Sequence, residues 1–437
     1  MFRKAWFCVA IPCLAIVLAS YPALAQDGKA AGKGKFPQVK SAVVYENITD
    51  GTIIGRSVAD TIELLKETRA NLIFRGFWKW EPIVDSPDDI PAELSAYIQS
   101  PGMTHKQIVN RMKKSGKYYQ SLKSWISAIK EEIPGIIFCG AIPAQQIGRV
   151  EFDPITHKVY NAQETWAMAL DPKKWDITSE GELATKEQLQ AMFVGIPPEK
   201  KGAGYDRAEV IEYFPDITNP DFQALLLNWA KKQIDCGADA IWVDMLYAQA
   251  KLFLQATNDP RHPAVVDSIS AAAKIVDSIH QYASEKGKYV YVGSRGQDIA
   301  EFDAQSVFAS LDFLTLNPSR EEILNKMLND KWAQKISVVR EVYGNIPIFA
   351  FIEWAAENSP LAAFSQDLDP AAQAQVITAF DEGFGSLGVN FIYPLHGGNM
   401  GQDPDKFSFG LSRIYDSLAP EFGTYETIKG LARKKQP

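Results

Sequence analysis

The stretch GADAIWVDMLYAQ, residues 237–249, starts on a glycine and runs through Ala240-Ile241-Trp242-Val243 without a polar side chain. It then places a carboxylate, Asp244, where the apolar run stops. A short, wholly apolar run bounded by turn formers fits a strand covered on both faces, as in a parallel sheet. The residues before it have helical period. After Asn219-Pro220, the apolar positions Phe222, Leu225, Leu226, Trp229, Ala230 and Ile234 recur at spacings of three, four, seven and eight. Pro220 suits a first helical position and Asn219 can cap it. A helix followed by a buried strand that ends on an acid is one step of an alternating α/β chain.

The same step repeats on both sides. Short apolar runs occur at Ala42–Tyr45, Leu72–Phe77, Gly135–Ile142, Ala240–Val243, Tyr289–Val292, Phe313–Leu316, Ile348–Ile352 and Asn390–Tyr393. Between them lie amphipathic stretches. Ser319 with Glu322 forms a capping box that leads into Ile323, Met327 and the residues beyond. Asp369-Pro370 opens a helix carrying Val376, Ile377 and Phe380. Pro263 to Lys286 reads as a long helix with Val266, Ile269, Ala273, Val276 and Ile279 on one side, stopped by Gly287. Eight strand–helix units in alternation predict an α/β fold of the (β/α)8 TIM-barrel kind. A doubly wound open sheet is the alternative, but the first strand ends Val44-Tyr45-Glu46-Asn47 with no glycine-rich phosphate turn.

Two long insertions interrupt the alternation, one after strand two from about Trp80 to Thr104, the other after strand three over residues 143–215. Both are strand-to-helix connections, so both are expected on the C-terminal face of the barrel, where active sites gather. They bring Tyr160, Trp166, Trp175, Tyr205 and Tyr213.

A residue just past a barrel strand points into the shared mouth. The expected set there is Glu46, Arg75, Trp78, Trp80, Glu81, Gln145, Gln146, Asp244, Ser294, Arg295, Asn317, Glu353, Trp354 and His396. It is rich in carboxylates, arginines, amides and tryptophans, and it holds no obvious Ser–His–Asp arrangement. Tryptophan faces suit the apolar faces of sugar rings, and the polar groups suit their hydroxyls. Cleaving a glycosidic bond needs two carboxyl groups, one to protonate the leaving oxygen and one as nucleophile or base. Asp244 and Glu353, on strands four and seven, are the expected catalytic pair, with Glu46 and Glu357 as substitutes for Glu353. Glu46, Arg75, Trp78, Trp80, Arg295, Asn317 and His396 are the expected substrate-binding residues. Core packing for Trp78 and Trp80, and salt bridging for Arg75 and Arg295, are the structural alternatives. Burial beside Trp354 is expected to raise the Glu353 carboxyl, as an acid catalyst needs.

The segment EYFPDITNPDFQALLLNWAKKQIDCGADAIWVDML, residues 212–246, resembles a stretch of barrel glycoside hydrolases. It is similar to the retaining α-glucosidase and α-xylosidase group and to α-galactosidase-like barrels. Pro215-Asp216-Ile217-Thr218-Asn219-Pro220 matches a phrase that leads the helix before strand four in that group. Gly237 to Met245 matches one that ends strand four on the catalytic nucleophile. The resemblance implies that role for Asp244. It covers about 35 residues. Where that group continues Asn-Glu, this chain has Leu246-Tyr247, and its strand six ends Leu316-Asn317-Pro318 with no acid. Glu353 is therefore assigned as the acid from barrel geometry.

Composition sets the outer limits. The chain has 437 residues, 46% hydrophobic and 22% charged, ordinary for a globular protein and remote from a disordered one. Arg3 and Lys4, an apolar run from Ala5 to about Leu18, and Ala23-Leu24-Ala25 before Gln26 read as a signal peptide over 1–25. A flexible leader over 26–40 and a barrel domain over 41–437 follow. A secreted or periplasmic location is expected, with no membrane span in the mature chain. Loss of 1–25 takes the formal charge from −8 to −10, and no basic patch supports a nucleic-acid partner. Cys139 and Cys236 remain, both in apolar segments, and are expected as buried free thiols. No clustered His/Cys spacing calls for a metal, and no cofactor is expected. A barrel that binds glycans without cleaving them, and a metal-dependent hydrolase using Glu46, Asp244 and His396, stay open as rivals.

Overall fold

The computed structural model describes residues 35–50, 55–98, 104–177, 185–193, 212–296, 302, 308–353, 358–401 and 404–435. The expected signal peptide, Tyr205, Trp354 and Glu357 lie outside them.

The apolar runs become a closed barrel. Its strands are β1 (Ala42–Tyr45), β2 (Leu72–Trp78), β3 (Ile137–Pro143), β4 (Ala240–Asp244), β5 (Tyr291–Arg295), β6 (Phe313–Leu316), β7 (Ile348–Ala350) and β8 (Asn390–Asn399). Each pairs in parallel with the next, and β8 pairs with β1 to close the ring. A short strand β9 (Ile414–Asp416) adds antiparallel to the end of β8. Residues facing the barrel axis form one core: Ala42 and Val44 from β1, Leu72 and Phe74 from β2, Ala240 and Trp242 from β4, Phe349 from β7. The alternate residues pack outward on the helices in a second, larger core. That two-sided burial is why the strands read as continuous apolar runs.

Strand ends differ from expectation where polar residues carry the ladder onward. The fifth strand runs Tyr291–Arg295 rather than Tyr289–Val292, because Ser294 and Arg295 stay in register with Leu314 and Thr315 of β6. Strand eight continues past Tyr393 to Asn399, where it gains β9 as a partner. Phe36 and Val39, expected in the leader, are buried in the barrel interior, with Phe36 against Tyr291, Phe313 and Phe349.

The helices that face the barrel include α1 (Val58–Glu67), α2 (Tyr119–Glu132), α3 (Pro220–Asp235), α4 (Pro263–Glu285), α5 (Trp332–Tyr343), α6 (Pro370–Ser386) and α7 (Tyr425–Lys435). The Asn219 side chain caps α3 by accepting from the backbone N–H of Asp221 and Phe222, with Pro220 in the first turn. Between β5 and β6 no helix is found among the described residues, so the fifth strand–helix unit is not seen complete there. The Ser319–Glu322 capping box is present, but its helix covers only Arg320–Asn325 before Lys326 turns left-handed. Met327, expected on its buried face, is thereby exposed. On α4 the buried stripe runs through Val265, Ile269, Ala272, Ile275, Val276 and Ile279, while Val266 faces solvent. No described helix is long and apolar enough to cross a membrane.

The connections after β2 and β3 carry structure of their own. The first holds helices Ala92–Ile98 and His105–Ser115. The second holds the ribbons Ile147–Gly148 with Glu212–Tyr213 and Glu151–Phe152 with Val159–Tyr160, and the helix Ala162–Met168. They share a small core of Val84, Ile90, Leu94, Ile108 and Phe152. Trp166 packs edge-on to Tyr213, and Trp175 packs on Phe253 while its Nε1–H donates to Asp267 at 2.8 Å. Cys139 and Cys236 are buried free thiols, and burial pushes the Cys236 thiol up to about 12.

Candidate active site

Arg75 reaches the barrel mouth through an irregular strand. Ile73 pairs with Phe138 and Phe77 with Gly140, so β2 spends two residues more than β3 across that interval. Arg75 sits in this bulge with φ +56°, a left-handed conformation that costs a side-chain-bearing residue about 1–2 kcal/mol. Gly76 beside it is needed for space, since a Cβ there would lie 2.5 Å from the Phe138 ring. The bulge turns the guanidinium inward. Its Cζ lies 4.4 Å from the centre of the Trp78 ring and 5.0 Å from that of Trp242. Its Nη1 donates to Glu353 Oε1 at 3.1 Å. Bulges of this kind recur beside active sites, where they re-aim a side chain.

Glu353 is buried at the end of the β7 segment and is held from two sides. Arg75 approaches one oxygen, and Arg295 Nη1 lies 3.8 Å from the other. Arg295, at the end of β5, also points Nη1 at Met245 Sδ, 3.2 Å away. Trp354, whose burial was expected to tune Glu353, lies outside the described residues.

Asp244 ends β4 by pairing with Pro143 of β3. Its carboxyl is buried, and Oδ1 has no hydrogen-bond partner among the described residues. Burial pushes its pKa up to about 6. The charges of Arg295 and Arg75 and the Met245 backbone N–H pull the other way, and the negative charge of Glu353 adds to the rise. Met245, next along, has φ +54°, so the chain turns sharply after the carboxylate.

Glu46 is the third carboxyl. It follows β1 in the phase of Ala42 and Val44, which face the barrel interior. Burial pushes it up to about 7, opposed by Arg75 and Lys117 and helped by Asp50 and Glu353. Gly398 N–H donates to Glu46 Oε2 at 3.1 Å. Gly397, at φ +103°, is required here, because a Cβ would fall 2.4 Å from Glu46 Cβ. Two carboxyls with raised pKa values and one gripped by arginines therefore share a single electrostatic site.

The aromatic pair continues from Arg75 outward. Trp78 belongs to the interior core, and Trp80 stacks on it with ring centres 5.5 Å apart and planes at 28°. Trp80 is 38% exposed. Asn317, after β6, donates Nδ2–H to the Phe351 carbonyl at 3.0 Å and ties two strand ends together. Gln146 donates Nε2–H to Glu212, and Ser294 Oγ–H donates to the Val243 carbonyl, so these serve the scaffold. Glu81 pairs with Lys117, 3.2 Å away.

His396 does not join the carboxylates. The β1–β8 register skips Leu395, so His396 pairs with Tyr45 and takes the helix-facing side. Its Nδ1 lies 2.6 Å from Asp416 Oδ2 on β9. Asp416 also accepts from Arg56 at 2.8 and 3.1 Å, and Arg56 donates to Tyr45 Oη at 3.0 Å. Burial alone would raise the Asp416 carboxyl, but His396 and Arg56 overcome it and hold it below its ordinary value. The network makes His396 a strut between β1, β8 and β9, and its Nε2 has no hydrogen-bond partner among the described residues.

Sequence reasoning missed Asn47, whose Oδ1 accepts from the Trp78 backbone N–H at 3.0 Å and whose φ of +52° shapes the turn after Glu46. It also missed Arg56 and Asp416, which lie 360 positions apart and leave no local signal. Lys79 and Glu151 escaped notice for the same reason.

No family model and no curated protein matches the chain. Among solved structures it is similar to a cyclic α-maltosyl-(1→6)-maltose hydrolase from Arthrobacter globiformis, with 11% identity, 90% of this chain and 82% of that chain covered, and a TM-score of 0.46. It is also similar to a debranching enzyme from Nostoc punctiforme, at 12% identity, 91% and 80% coverage and a TM-score of 0.42. A third likeness is to an α-galactosidase from Thermus thermophilus, at 12% identity, 91% and 65% coverage and a TM-score of 0.38. At these identities and scores none of them assigns a role to any residue of this chain.

Proposed function

We propose that the protein is a glycoside hydrolase that cleaves an oligo- or polysaccharide with Asp244 and Glu353. One observation carries the reading. A buried carboxyl with a raised pKa and an oxygen that accepts no hydrogen bond among the described residues, Asp244, sits within the field of a second carboxyl gripped by two guanidiniums, Glu353. Glycosidic cleavage asks for that division: a proton held near neutral pH on one group and a negative charge on the other.

On this reading the two roles inferred from sequence are exchanged. Asp244, whose raised pKa favours the protonated form more than an ordinary aspartate does, protonates the leaving oxygen and, if configuration is retained, then accepts a proton from the incoming water or acceptor. Glu353 attacks the anomeric carbon if configuration is retained, or activates water if it is inverted. Arg75 and Arg295 fix the Glu353 carboxylate in place. Trp80 offers a sugar-stacking face, Trp78 backs it from the interior core, and Asn317 holds the mouth in shape. The basic start, apolar run and Ala23-Leu24-Ala25 support export with cleavage near Ala25. N-terminal sequencing of the mature protein checks that point.

Release of reducing ends from a broad glycan panel tests the function, with Asp244→Asn and Glu353→Gln alongside. Both variants lose activity by several orders of magnitude. Aryl glycosides whose leaving group needs no proton separate the roles: Asp244→Asn retains their cleavage at the first step, and Glu353→Gln does not. The reverse pattern would restore the roles read from sequence. Glycan binding without any hydrolysis would favour a non-catalytic barrel.

A further inference from the structure

Lys79 lies between the two tryptophans, and its side chain runs the other way. It is fully buried, with Nζ 2.8 Å from both carboxylate oxygens of Glu151 and 3.4 Å from the centre of the Trp229 ring. Glu151 is equally buried and also accepts the backbone N–H of Gly148 at 2.9 Å and of Phe152 at 3.3 Å. A buried ion pair of this completeness is weak evidence of net stabilisation, because desolvation offsets the attraction. What it does supply is position. It pins the residue between Trp78 and Trp80 to the connection that follows β3.

The position it fixes is directional. Contacts lead from Glu353 to Arg75, from Arg75 to the Trp78 ring, and from Trp78 to Trp80, which opens to solvent. Trp78 supports Trp80 in a near-parallel stack. An exposed indole backed by another ring, two contacts beyond the arginine that grips a candidate catalytic carboxylate, is placed to take a sugar outside the cleavage point.

We propose that Trp80 is an outer platform for the glycan chain, held by the buried Lys79–Glu151 pair, so that the protein prefers chains extending beyond the bond it cleaves. This rests on the reading of the mouth as a glycan-cleaving site. Lys79 and Glu151 are positioning residues, since neither can touch substrate.

The test uses the mature chain carrying Asp244→Asn, so that bound glycan persists. The probe is an array of immobilised oligosaccharides, disaccharide to decasaccharide, of gluco-, galacto- and amino-sugar series. Affinity is expected to rise with length in one series. Adding Trp80→Ala removes the length-dependent part, about fivefold to tenfold on the longest chains, and leaves the shortest unchanged. Lys79→Met with Glu151→Gln, which removes both charges and keeps an acceptor for Gly148, gives the same pattern. Length dependence that survives Trp80→Ala overturns the platform. Loss in Trp80→Ala but not in the double variant overturns the positioning role of Lys79 and Glu151. Hydrolysis by the protein with Asp244 intact, together with length-independent affinity, overturns the platform alone. Length-dependent binding lost in Trp80→Ala, with no hydrolysis, keeps the platform and overturns the cleavage reading. No binding to any series overturns the platform.

Discussion

The Glu46 and Asp244 carboxyls are raised for the same physical reason. Each is buried, burial penalises the charged form, and the nearby cations only partly compensate. The consequence for stability has a definite sign. Glu46 has a folded-state pKa of about 7 against an ordinary 4.5, so its favourable contribution is present below about pH 4.5 and is lost as pH rises through 7. Glu46→Gln removes that loss while keeping an acceptor for the Gly398 N–H. It should therefore stabilise the protein at pH 8 by up to about 3 kcal/mol and leave it unchanged near pH 4, as read from unfolding midpoints at the two pH values. Equal midpoint shifts at both would show that Glu46 is not a buried neutral acid. Asp244 gives the kinetic counterpart. As the proton donor with a pKa of about 6, it predicts hydrolysis that declines with pH on an alkaline limb beginning near that value. Asp244 was legible from sequence because an apolar run stopped on it. The salt bridging of Arg75 and Arg295 to its partner was open in the sequence as an alternative to substrate binding, but the bulge through which Arg75 enters the mouth was not, since β-strand periodicity does not foresee it.

At the level of elements, strands with wholly apolar sequences were read within a residue or two, because both faces are buried and composition alone betrays them. The errors fall where polar residues remain in the ladder, at Ser294-Arg295 on β5 and His396 to Asn399 on β8. The first of these brings Arg295 to the candidate site, and the second brings Gly398 N–H to Glu46. Helix starts were better marked, since Asn219, Ser319 and Asp369 each cap the helix that follows. The skipped residue at Leu395 shows what a single register change does: it pairs His396 with Tyr45. One buried ion pair ties the connection after β3 to the end of β2. Lys79→Met alone leaves Glu151 buried without its cation and should destabilise the fold by about 3–5 kcal/mol in chemical denaturation. The double variant with Glu151→Gln should recover most of that loss.

For the whole molecule, the ring of β1 to β8 brings Glu46, Arg75, Asp244, Arg295 and Glu353 from five strand ends to one electrostatic site. The barrel was readable from alternation. The pairing of a proton-holding Asp244 with an arginine-gripped Glu353 was not, because it depends on burial and on contacts between residues far apart in the chain. That pairing is the central claim, and hydrolysis tests it most directly. Reducing-end release from a glycan panel should be measured for the protein lacking residues 1–25, with and without Asp244→Asn. The account predicts activity on at least one glycan that falls by several orders of magnitude in the variant. Activity that persists unchanged in Asp244→Asn would contradict it.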